Sequence, residues 1–139
     1  LNSALKNNKV KGMAYIVKEA DFRAMAAHVL DSLPDEFRNR MANVVVVVED
    51  YPSEDDAESA GVPREGLFGL FHGISRFEQE WCGGATGQLP ERIVLYKRNI
   101  ESACFTKEDL LEEIRLTVLH EIGHYFGLSE EDMEKYEKG

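Results

Sequence analysis

The chain has 139 residues and carries 26 acids against 16 Lys and Arg, a formal charge of −10. That length suits one domain whose core needs no disulfide or metal staple, and the acidic balance without a basic cluster excludes nucleic acid and anionic membrane as partners and favours a neutral or basic ligand. Cys82 and Cys104 form no Cys-x-x-Cys, no apolar run reaches membrane-span length and the start lacks the apolar core of a signal peptide, so a reducing, cytoplasmic location is expected.

Residues 1–12 are polar and without period, which reads as a disordered tail or an appended remnant, with Met13 as the native start and 13–139 as one domain. From Asp21, a plausible N-cap, the positions Phe22, Met25, Ala26, Val29, Leu30 and Leu33 keep helical spacing. Pro34 opens a second short helix in which Phe37 and Met41 continue the i, i+4 rhythm up to Asn43. The valine run Val44–Val48 cannot alternate inside and outside, which predicts a strand covered on both faces and central in the sheet. Asp50 to Gly66 holds six acids with Pro52 and Pro63, a solvated loop with at most a turn of helix, and its spacing does not match a calcium loop. Leu67 to Ile74 reads as a strand in which Gly69 and Gly73 mark a bulge or a close approach, beside a cleft. Ser75 to Glu91, with Trp81 and three glycines, is a long connection that either covers a site or crosses the surface. Arg92 to Lys97 is a strand apolar on both faces.

The most informative helix follows. Thr106 and Asp109 make a capping box, Phe105 is positioned as a hydrophobic staple on Leu110, and the helix should run from Lys107 to about Phe126. Leu111, Ile114, Val118, Ile122 and Tyr125 fall on one side, away from His120 and His124. These two imidazoles, four positions apart, point the same way and can reach one ion, the grip expected for zinc. Glu121 lies roughly 100° round the helix, where it can serve as general base toward a water on that ion. A buried polar pair or a solvated helix face would produce the same letters, but the helical context favours the metal reading. His28 and His72 stand apart and are read as ordinary histidines. Gly127 can take the left-handed conformation that ends a helix and turns the chain back, and Ser129 with Asp132 caps a last short helix.

The succession of helix, valine-rich strand, acidic loop, Gly69-Leu70-Phe71-His72-Gly73, Arg92-Ile93-Val94-Leu95-Tyr96-Lys97 and the block from Thr117 to Glu131 resembles the small single-domain bacterial zincin-like metallopeptidases. The likeness spans about residues 20–136. It implies an α+β minimal zincin fold, a short mixed sheet packed with the active-site helix and N-terminal helices. It also implies Zn2+ held by His120 and His124, Glu121 as base, and a third ligand just beyond Gly127. Longer metzincins share the glycine and carry a histidine three residues after it, where this chain has Glu130. Glu130 is therefore the favoured third ligand, ahead of Glu131 and Asp132, although acids in a first helical turn are favourable for the helix dipole alone.

The expectation is a zinc metallopeptidase that hydrolyses peptide or protein substrates, with an extended peptide adding to the edge of Leu67–Ile74 or Arg92–Lys97. Two other readings stay open: a catalytically silent binding module on the same scaffold, and a zinc amidase acting on a small molecule. Retention of Glu121 favours catalysis, since a structural zinc site closes with four protein ligands and has no use for that acid.

Overall fold

A computed structural model describes residues 14–72 and 91–137. The expected tail over 1–12 and the connection from Ser75 to Pro90, with Trp81 and Cys82, lie outside the described residues. In chain order the elements are α1 (Glu19–Asp31), α2 (Asp35–Arg40), β1 (Val45–Glu49), α3 (Glu54–Ala60), a 3-10 turn (Arg64–Gly66), β2 (Gly69–His72), β3 (Arg92–Tyr96), α4 (Lys97–Ser102), α5 (Lys107–Tyr125) and α6 (Glu130–Glu137). The architecture is α+β, with helices packed on a three-stranded mixed sheet of order β1-β3-β2.

The periodic segments fold as their spacing dictates. Phe22, Met25, Ala26 and Val29 bury one face of α1 against α5 and β1. The helix begins three residues earlier than expected: Lys18 stands at the N-cap without a side-chain bond, so Asp21 is not the cap. Its carboxylate lies in the first turn, where it faces the positive end of the helix dipole. Pro34 does precede α2, and Phe37 is its buried residue.

The sheet corrects one expectation. β1 is an edge strand, parallel to β3 with Val45 opposite Arg92 and Glu49 opposite Tyr96, and Val45 is 48% exposed. Both of its faces are nonetheless partly covered, by the main core at Val46 and Val48 and by a second cluster at Val47, so the central position is what fails. The strand paired along both edges is β3, central between β1 and an antiparallel β2. Ile93 and Leu95 enter the main core, while Val94 and Tyr96 pack with Leu67 in a second cluster on the opposite face.

Two helices stand where loop or strand was expected. Ser53 caps α3 by accepting the Asp56 N–H at 3.0 Å, and Gly61 ends it at φ 74°, so seven residues of the acidic stretch, with four of its six acids, are helix rather than loop. β3 passes directly into α4, whose first residue Lys97 is buried by pairing with Glu101 at 2.8 Å. Glu101 also accepts the Val17 N–H at 2.9 Å, so the buried charges bind the chain before α1 to the end of the sheet. Nearby Cys104 is buried, donates to the Ile100 carbonyl, and has its thiol pushed up to about 12, chiefly by burial and then by Glu113.

α5 is anchored as its sequence requires. Thr106 Oγ1 accepts the Asp109 N–H at 3.0 Å, and Asp109 Oδ2 accepts the Phe105 N–H at 3.1 Å. Leu110, Ile114, Val118 and Ile122, one turn apart, are each fully buried and fasten the helix to the core. No helix among the described residues is long and apolar enough to cross a membrane.

Candidate metal centre and its cleft

The last two turns of α5 present His120 and His124 side by side, with ring centroids 4.5 Å apart and planes at 72°. The His120 side chain is 25% exposed and that of His124 is 53% exposed, so both border solvent while Ile122 behind them is fully buried. The helix then ends in a six-to-one pattern: Gly127 N–H donates to the His124 carbonyl at 3.1 Å and Leu128 N–H to that of Gly123 at 2.9 Å. Gly127 sits at φ 70°, which a side chain would strain, and this turn sends α6 back along α5.

α6 starts on Ser129, whose Oγ accepts the Asp132 N–H at 3.1 Å, as its sequence suggested. Met133, its buried residue, fits over Gly123; a Cβ on that glycine would lie 2.7 Å from the Met133 sulfur. Gly123 therefore allows the two helices to approach closely. With α6 in this position, one ligand atom each from His120, His124 and Glu130 lie within 4.8 Å of one another, the group of metal-ligating side chains found among the described residues. Glu131 and Asp132 are not part of that group, nor are His28 on α1 and His72 at the end of β2.

Glu121 is held from the sheet. Its Oε1 accepts the Phe71 N–H at 3.2 Å, and its Oε2 lies 4.0 Å from His124 Nδ1. Burial pushes its carboxyl above the usual carboxylate range, against the Phe71 N–H and the two imidazoles, which pull it down. The Phe71 ring stacks on Tyr125 at 4.2 Å, one helical turn beyond Glu121, so β2 grips α5 through backbone and side chain together. At Gly69 the contact is tighter still, since an added Cβ would lie 2.6 Å from Thr117 Cγ2.

Between β2, α5 and α6 runs a cleft of about 560 Å³. Leu67, Phe68 and Leu70 form an apolar wall, His120, Glu121 and His124 form the floor, and Glu130, Glu134 and Glu137 stand opposite. Sequence reasoning missed Glu137, whose Oε1 is 3.6 Å from His120 Nδ1, and the Phe71 N–H, 50 residues from the carboxylate it binds. It also passed over Gly123, where a glycine inside a helix was itself a signal of close packing.

Compared with known families, residues 41–139 match the zincin-like metallopeptidases, and among curated proteins none matches the chain. The match covers well over half of the sequence and includes the sheet, α5 and α6, so the chain belongs to the zincin-like metallopeptidase family.

Proposed function

We propose that the protein hydrolyses peptide bonds with a zinc ion held by His120, His124 and Glu130 and with Glu121 as general base. The observation that carries this reading is the convergence of those three donors beside a carboxylate that faces the same cleft. Two imidazoles and one carboxylate suit a catalytic zinc and leave a coordination position open. At zinc bond lengths of 2.0–2.1 Å the donors of a tetrahedral site stand roughly 3.3 Å apart, so donors already within 4.8 Å of one another need only small rotations of partly exposed side chains. The carboxylate of Glu137 lies 3.6 Å from His120 Nδ1, which favours Nε2 of that ring for the metal. A zinc bound there supplies Lewis acidity, polarising a carbonyl and lowering the pKa of a bound water toward neutrality.

The protein's own groups do the rest. Glu121 Oε1 is occupied by the Phe71 N–H, so Oε2, on the histidine side, is the atom that takes the proton from water and passes it to the leaving amine. A carboxyl raised by burial is better matched to that exchange than an ordinary one. For the substrate, β3 is ruled out as an edge because it is paired on both sides. Phe68 accepts the Tyr96 N–H at 2.9 Å, and the antiparallel alternation then turns the amides of Gly69 and Phe71 away from β3, that of Phe71 onto Glu121 and that of Gly69 toward an added strand. β2 is thus the strand to which an extended peptide would add, along the cleft.

Metal analysis after purification without chelator and after zinc repletion should give one zinc per chain. Glu121→Gln should keep that zinc and lower cleavage of a broad peptide library on the order of a hundredfold or more. Trace zinc in a folded protein, or a Glu121→Gln variant that retains most of the wild-type rate, would reject the assignment.

A further inference from the structure

The third ligand rides on an element that cannot stand by itself. α6 has eight residues, five of them acids, and Met133 as its buried residue, whereas an isolated helix of that length is marginal in water. Something must fix its far end, and Arg115 on α5 does so. Its guanidinium is gripped by Glu112, with Nε to Oε2 at 3.1 Å and Nη2 to Oε1 at 2.6 Å. From there Nη1 donates to the Tyr136 carbonyl at 3.0 Å and Nη2 to the Glu137 carbonyl at 2.6 Å. Those are carbonyls that the end of a helix leaves unpaired, at the negative pole of its dipole, so a fixed cationic fork is well matched to them. Tyr136 adds an edge contact with Phe37 and a hydrogen bond to Glu36.

The geometry points to Arg115 as a positioning residue of the metal site: by tying the last turn of α6 to α5 it holds Glu137 against His120. This rests on the metal reading above and adds to it a residue that touches neither metal nor substrate. Without the clamp α6 would remain attached through the Gly127 turn and Met133 but would swing at its C-terminal end, carrying Glu137 away from His120.

The test is zinc affinity, measured by competition with a chromophoric chelator. It is combined with the visible spectrum of the cobalt(II)-loaded protein and with hydrogen exchange of α6 amides in the metal-free state. Arg115→Ala should weaken zinc on the order of tenfold to a hundredfold, the usual effect of removing a group that orients a ligand. It should also change the cobalt spectrum as His120 loses the carboxylate beside its Nδ1, and speed exchange in the last turn of α6 while α5 stays protected. Arg115→Lys, which keeps the charge without the fork, should fall between. Arg98→Ala, which removes the same charge from an exposed pair with Asp50 on another surface, should change none of these. Should the alanine variant fail to fold, Arg115→Gln, which keeps most of the stem, decides the matter. Zinc bound by wild type and by the Arg115 variants with equal affinity overturns the inference while leaving the metal site standing. A wild type that binds no zinc overturns both.

Discussion

Replacing Gly123 by alanine tests whether α6 must lie close against α5 for the site to exist. The new methyl would lie 2.7 Å from Met133 Sδ and 2.9 Å from its Cγ and Cε. Comfortable contacts between such atoms are about 3.5–4.0 Å, so the helix pair must open by about 1 Å or the methionine must leave its place. Overpacking of this kind costs about 1–3 kcal/mol, and the gain in helix propensity from Gly to Ala returns about 1 kcal/mol, so global stability falls by no more than about 2 kcal/mol. The metal site is less tolerant, because a functional constellation must be held to about 0.5 Å, and a shift of α6 moves Glu130 while the imidazoles stay on α5. Zinc affinity in Gly123→Ala should therefore fall by about tenfold to a hundredfold, read by chelator competition, with only a modest drop in the metal-free melting temperature. The double variant Gly123→Ala/Met133→Ala, in which the colliding atoms are gone, should regain part of that affinity, a coupling of about 0.5–3 kcal/mol. Wild-type affinity in the single variant, or no recovery in the double one, would refute the argument.

How far the sequence led depends on the range of the interaction concerned. The positions Ile114, Val118 and Ile122, the Thr106 cap, the Gly127 turn and the Ser129 cap are set by neighbours a few residues away, and each was readable, although the fully buried stripe begins at Leu110 and leaves Leu111 and Tyr125 only partly buried. The pair His120 and His124 was legible for the same reason, since helical spacing alone puts them on one face. Which strand lies at the centre was not, because strand pairing is non-local: Val44–Val48 and Arg92–Tyr96 are both apolar runs, and only the position of β2 decides that the second is paired along both edges. α3 had its signals, Ser53 three residues before Asp56 and Gly61 at its end, but the density of acids outweighed them. α4 was hidden because Lys97 and Glu101 look like surface residues until they are seen to neutralise each other in the interior. At the site, the supports come from afar: Phe71 holds Glu121 across 50 residues, and Arg115 holds Glu137 across 22.

Glu130→Ala should weaken zinc well beyond Glu131→Ala, with little change in the metal-free melting temperature of either; equal small effects would return Glu130 to the role of a first-turn acid. The described cleft lining includes Glu113, Glu121, Glu130, Glu134 and Glu137 and no Lys or Arg, so peptides bearing a basic side chain should be cleaved faster than acidic ones of equal length, by a margin that shrinks as salt is raised. Acidic peptides cleaved as well as basic ones would count against that cleft as the binding surface. The hold of β2 on Glu121 can be separated into its parts. Because the Phe71 N–H turns away from β3, Phe71→Pro removes the donor without removing a ladder bond of the sheet, whereas Phe71→Ala removes the ring from Tyr125 and keeps the donor. The N–H stabilises the charged carboxylate, so its loss leaves burial less opposed, and carboxyl NMR of the metal-free protein should show Glu121 titrating at higher pH in the proline variant than in wild type. The alanine variant should titrate close to wild type. If proline leaves the midpoint where it was, or alanine raises it as far, then the backbone of β2 does not tune this carboxyl and Glu121 owes its state to burial and the two imidazoles.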